Sequence, residues 1–282
     1  MTSRPPAVAG SFYPGDPAVL AREVDQLLAD ATRQADRALH PKALICPHAG
    51  YIYSGPTAAR AYAHLAATAD SAGATSSKSS KSTIRRVVLL GPTHRVFVRG
   101  MAVPTVDSFR TPLGNIPIDT ELREMALALP GVVADDAPHA WEHSLEVQLP
   151  FLQAVLTDFT LLPVAVGDAS PEMVGDLIDR LYGGPETLIV VSSDLSHFHA
   201  YAAAQAIDRE SVEAILELDP QLDHEQACGA TPVNGLILAA CRHGLAPRLI
   251  DLCNSGDTAG DRQRVVGYAA IAFTEAPPKA AR

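Results

Sequence analysis

Apolar residues in this chain fall into two periodicities. Short unbroken runs stand at Ala43-Leu44-Ile45-Cys46, Val87-Val88-Leu89-Leu90 and Leu188-Ile189-Val190-Val191. Such a run, rich in β-branched residues, predicts a strand buried on both faces, as in a parallel sheet. Between the runs, apolar positions return every three or four residues. Leu20, Val24, Leu27 and Leu28 follow Asp16-Pro17, which predicts a helix with Asp at the N-cap and Pro in its first turn. Further helices are predicted over 56–65, from about Asp119, over 144–156, from Ser170-Pro171-Glu172, over 201–218 and from Thr231-Pro232 to His243. Strands over 159–166, 248–253 and 265–273 complete the alternation. The pattern predicts an α/β sandwich with a largely parallel central sheet flanked by helices on both faces. Residues 69–83, rich in Ser, Ala, Thr and Lys, have no periodicity and read as a mobile surface loop inside one strand–helix–strand unit. The whole chain, 1–282, therefore reads as one domain.

Composition narrows the partners. With 47% hydrophobic and 19% charged residues in 282, a sizeable core is within reach. A formal charge of −10 argues against direct nucleic-acid binding. The N-terminus opens no apolar signal region, and no apolar stretch approaches the ~18 residues of a membrane span. The expected location is the cytoplasm, away from membranes. The four cysteines show neither CxxC spacing nor disulfide density. Cys46, Cys241 and Cys253 sit in apolar surroundings and read as small core residues.

The chemistry gathers where the strands end. The first run leads into Pro47-His48-Ala49-Gly50-Tyr51, the second into Gly91-Pro92-Thr93-His94, and the third into Ser192-Ser193-Asp194-Leu195-Ser196-His197. In parallel sheets, ligands bind beyond the carboxyl ends of the strands. His48, His94, Asp194 and His197 are thus expected at one sheet edge. A single strand-end histidine is as well explained by a hydrogen bond to its own loop; the repetition is what points to a site. Imidazole suits zinc, copper and iron. Cys228 lies just ahead of Thr231-Pro232, read as N-cap and first helical residue. The positive end of the helix dipole there favours a thiolate, either metal ligand or nucleophile. Glu142-His143-Ser144 precedes a helix, so Ser144 reads as a cap and His143 as a residue able to enter the pocket. His40, His64, His139, His224 and His243 read as surface residues. Walker, GxGxxG, HExxH and GxSxG patterns are absent from the sequence, which leaves nucleotide-dependent and serine-hydrolase chemistry without support.

Several of these motifs together resemble the Memo family, whose bacterial and archaeal members are called AmmeMemoRadiSam system protein B. They are Ala9-Gly10-Ser11-Phe12-Tyr13-Pro14, Pro47-His48-Ala49-Gly50-Tyr51 with Tyr53-Ser54-Gly55, and Gly91-Pro92-Thr93-His94. Glu142-His143-Ser144-Leu145-Glu146-Val147-Gln148-Leu149-Pro150, Ser192-Ser193-Asp194-Leu195-Ser196-His197 and Cys228-Gly229 extend the match over the whole chain in order. The family is similar to the class III, LigB-type extradiol dioxygenases, which implies a LigB-like α/β sandwich.

By motif, the resemblance implies metal ligands His48, His94 and Cys228, with Asp194, His197 and His143 as further pocket residues for acid–base work. It implies iron(II), with copper or zinc as alternatives, and redox or oxygen-dependent chemistry on an unknown small molecule or peptide. The dioxygenases complete their iron site with a carboxylate; Cys228 would stand in that place here, so ring cleavage does not carry over. The family name implies a pathway shared with AMMECR1-type and radical S-adenosylmethionine proteins. Two other readings of the same pocket stay open: a peptide- or protein-binding module without turnover, and a metal-independent cysteine hydrolase using Cys228.

Overall fold

The unbroken apolar runs become strands because each has two buried faces to fill. In a computed structural model describing residues 2–36, 38–70 and 82–275, the first half of the chain forms β1 (Ser3–Arg4), α1 (Pro17–Thr32), β2 (Ala43–Cys46), α2 (Tyr51–Asp70), β3 (Arg86–Pro92), β4 (Met101–Val103), β5 (Ser108–Thr111), β6 (Gly114–Pro117), α3 (Thr120–Leu127) and β7 (Val132–Ala134). The second half forms α4 (Ala137–Ala140), α5 (Leu149–Val155), β8 (Thr160–Val166), α6 (Pro171–Leu181), β9 (Thr187–Ser192), β10 (His197–His199), α7 (Tyr201–Leu216), α8 (Ala230–His243), β11 (Leu245–Asn254) and β12 (Val265–Glu275).

Strands β2, β9, β3 and β8 lie side by side, all parallel, at the centre of the larger sheet. Antiparallel strands close both flanks: β4 beyond β8, and β12 beyond β2 with β11 and β10 paired to it. Side chains alternate between two cores. Leu44, Leu89 and Val190 face the layer of α1, α2 and α5; Ile45, Leu90 and Val191 face the layer of α3, α6 and α8. Burying both faces is what the continuous apolar runs require. Because β2, β3 and β9 are parallel and in register, with Cys46 opposite Ser192 and Leu90 opposite Val191, their carboxyl ends open at one edge.

Local signals set most boundaries. Asp16, Asp119 and Ser170 each accept a backbone N–H from the first turn of α1, α3 and α6. The segment read as one helix from Ser144 is instead a 3₁₀ turn, Glu146–Gln148, followed by α5. Pro150 has no N–H to give and is accommodated in the first turn of a new helix. Ser144 does not cap: its hydroxyl donates to Pro92 O. Helix α8 starts at Ala230 with Gly229 at the N-cap, so Thr231 lies inside it. Helix α2 runs to Asp70, two residues into the segment read as a loop, and 71–81 lie outside the described residues.

Two histidines read as surface residues are buried. His64 accepts the Asp36 backbone N–H and also bonds Arg60 O, and His139 on α4 bonds Ala102 O of β4. Cys241, read as core, is exposed. The N-terminal segment is tied down by Glu146, which is fully buried. It accepts from Arg4, from the backbone of Ala7 and Val8, and from Tyr13 OH. No helix among the described residues is long and apolar enough to cross a membrane.

Candidate metal centre

The loop after β3 is held by one carboxylate. Glu142, 1% exposed, accepts the His94 backbone N–H at 2.6 Å and bonds the His94 ring Nδ1 at 2.8 Å. The same side chain accepts the N–H groups of His143 and Ser144, each at 2.9 Å. Burial pushes the Glu142 pKa up, but the His94 ring and these donors outweigh it and hold it at about 2. Glu142 is therefore ionised at every physiological pH, and it orients His94 and His143 together. Gly91 makes room for this arrangement, since a Cβ there would stand 2.9 Å from both Leu145 Cδ2 and Ser144 Oγ.

His48, at the end of β2, is held from the β9 side. Its backbone N–H donates to Asp194 Oδ1 at 2.6 Å, its Nδ1 lies 3.0 Å from Ser192 Oγ, and its Nε2 lies 3.2 Å from Cys228 Sγ. Cys228 is brought there by the Gly229 backbone N–H, which donates to Ser193 Oγ at 2.9 Å. That contact needs glycine, because a Cβ would sit 2.7 Å from Ser193 Cβ.

The two halves meet in a cluster of imidazoles. One ligand atom from each of His48, His94 and His143 lies within 4.8 Å of the others. The His94 and His143 rings stack at 4.6 Å, and His48 meets both edge-on at 5.3 and 5.4 Å. Phe12 covers His143 from the N-terminal segment, its ring 4.9 Å away. Burial and the neighbouring imidazoles push the His48 pKa well down. Burial likewise lowers His143 to about 4, against the pull of Glu142. Neutral imidazoles with lone pairs to share are what a metal requires. A group of three imidazoles, two of them oriented by one carboxylate, fits a divalent transition metal.

The other expected residues stand around this group. Cys228 touches His48 and is the residue matched by motif as third ligand, but the three ligand atoms that gather most closely include His143 in its place. The thiolate expected at Cys228 is disfavoured by its surroundings. Its burial and the Asp194 carboxylate push the thiol up to about 12, beyond what the start of α8 can offset. Asp194 is 4% exposed, and burial lifts its carboxyl to about 7 against the His48 and Ala49 N–H groups. His197, half-buried on β10, meets Phe198 edge-on at 5.7 Å and has its pKa lowered by burial and by His94. A cavity of about 410 Å³ opens beside His94 and Cys228, lined also by Thr93, Arg95, Phe97 and His224. Glu142, Ser192 and Gln148 were not singled out from the sequence. For Glu142 the signal is its place directly before His143 in the motif Glu142-His143-Ser144.

Comparison with known proteins agrees with this arrangement at the level of family and fold. A family model described as "Memo-like protein" matches residues 4–272. A MEMO1 family protein of Aquifex aeolicus is 35% identical, covering 97% of this chain and all of that protein. A MEMO1 family protein of Methanosarcina barkeri is 37% identical over 95% of this chain and 98% of its own length. Among solved structures, an uncharacterized protein of Escherichia coli K12 matches with a TM-score of 0.50 at 16% identity, covering 81% of this chain and 98% of that one. That likeness shows the fold alone.

Proposed function

This chain belongs to the Memo family, and we propose that it is a metal-binding member whose ion is held by His48, His94 and His143, with Cys228 beside them. The observation that carries this is the convergence of three imidazole ligand atoms within 4.8 Å at the carboxyl edge of a parallel sheet. When bound, iron(II) or copper supplies redox and oxygen-dependent chemistry, and zinc supplies a Lewis acid.

The chain's own residues supply the rest. Glu142 keeps His94 and His143 oriented. Asp194, poised near neutrality at about 7, can hold or release a proton at the cluster. His197 is the second candidate for acid–base work. The cavity between His94 and Cys228 has room for a small molecule or the tip of a peptide, with Arg95 and Phe97 at its wall. A thiol raised to about 12 is a poor nucleophile, which counts against a metal-independent cysteine hydrolase.

The test is metal content. Untagged protein purified anaerobically with reductant should retain one transition-metal ion per chain. His48→Ala with His94→Ala should lose it while the circular dichroism stays unchanged, and His143→Ala should lose more than Cys228→Ala. Unchanged occupancy in the double variant would sink the reading. Occupancy lost only with Cys228→Ala would move the third ligand from His143 to the thiolate.

A further inference from the structure

Behind His48 lies a closed chain of buried hydrogen bonds that the proposed function does not use. Gln148, 1% exposed, donates from Nε2 to Pro47 O at 2.9 Å and to Ser192 Oγ at 2.8 Å, while its Oε1 accepts from Tyr62 OH at 2.9 Å. Pro47 O can only accept, so the amide has one orientation: turned over, it would set two oxygens against each other. Ser192 Oγ has one proton and two lone pairs. Ser144 O, 2.6 Å away, can also only accept, so the Ser192 proton points there. Gln148 fills one lone pair. The remaining neighbour is His48 Nδ1, 3.0 Å away, and it must be the donor.

We infer that Ser192 is a positioning residue that fixes the tautomer of His48, with the proton on Nδ1 and Nε2 left bare toward the centre. A metal-ligating histidine needs its free nitrogen on the metal side and its N–H on an outer partner. Here that partner is a hydroxyl whose own direction is set by Ser144 O and Gln148. The tautomer follows from the hydrogen bonds alone; its consequence for metal affinity rests on the reading of His48 as a ligand. Glu142 serves His94 in the same way through an ionised acceptor, so the two histidines are oriented by different chemistry from different elements.

Two readouts test this. In ¹⁵N-labelled metal-free protein, long-range ¹H–¹⁵N correlation should show His48 with Nδ1 protonated and Nε2 bare. Ser192→Ala should replace that single pattern with an exchanging mixture and weaken zinc binding about 10–100-fold in chelator competition. Ser192→Thr, which keeps the hydroxyl, should restore both. If Ser192→Ala does not fold, Ser192→Cys keeps the volume with a weak acceptor and should move both readouts the same way. The inference is overturned if the Nδ1–H pattern survives loss of the hydroxyl, or if the wild type carries its proton on Nε2. A lost tautomer with unchanged zinc affinity overturns the link to metal binding. Wild-type protein that shows the expected tautomer but binds no zinc, iron or copper would refute the metal reading and leave the tautomer assignment standing.

Discussion

Glu142 holds His94 twice, through the backbone N–H at 2.6 Å and through the ring Nδ1 at 2.8 Å. A single carboxylate thereby fixes both where the loop after β3 stands and which nitrogen the ring presents. The oxygen that faces the ring, Oε1, also accepts the backbone N–H groups of His143 and Ser144, so the position of one acid sets two of the three imidazoles.

Replacing Glu142 with Gln keeps the volume and removes the charge. One end of the amide then turns a donor toward N–H groups that are already donors. We expect zinc affinity to fall about 10–100-fold, as when other outer-shell partners of ligating histidines are lost. The melting temperature should fall as well, because buried N–H groups lose their acceptor. Chelator competition and thermal melts check this, and wild-type affinity in Glu142→Gln would show that the carboxylate does not orient the ligands.

Cysteine reactivity should follow burial and not the helix end. In metal-free protein at pH 8, Cys241 is exposed and should alkylate first, whereas Cys228, raised to about 12, should react slowly and Cys46, fully buried and also near 12, more slowly still. Mass-spectrometric footprinting over time gives the order. Cys228 reacting ahead of Cys241 would mean that its thiol is ionised and open to solvent.

Acid stability should depend on Asp119, far from the centre. Burial pushes its pKa up, but hydrogen bonds from Arg86, the Leu122 N–H and Thr160 outweigh that and hold it below the ordinary 3.8. A carboxyl depressed on folding contributes stability that is complete above its unfolded pKa and is lost as pH falls through its folded one. Asp119→Asn should therefore be less stable than wild type at pH 7 by about 1 kcal/mol, because the amide still caps α3 but the charge-assisted bonds to Arg86 are lost. The gap should narrow below the ordinary value. Urea unfolding between pH 3 and pH 7 measures both, and a gap independent of pH would exclude the charged form as the cause.

Some of this protein was fixed by local sequence. The runs ending at Cys46, Leu90 and Val191 read as doubly buried strands, because each is short, carries β-branched residues and is followed by turn residues. Asp16-Pro17 and Ser170-Pro171 had to start helices, since the cap and the missing N–H act within one turn. With parallel strands decided, His48, His94 and Asp194 had to share an edge, and the Memo-like motifs marked the same residues. What depended on distance along the chain stayed hidden. Cys228 reaches His48 from 180 residues away, and the burial that raises its thiol comes from packing that no local dipole argument contains. His143 enters the cluster because Glu142, 48 residues beyond His94, pins both to one loop junction. Ser192 and Gln148 look like ordinary polar residues in sequence. Only when β2, β9 and the turn before α5 meet does each find partners that can only accept, and that shortage of donors is what gives His48 its single orientation.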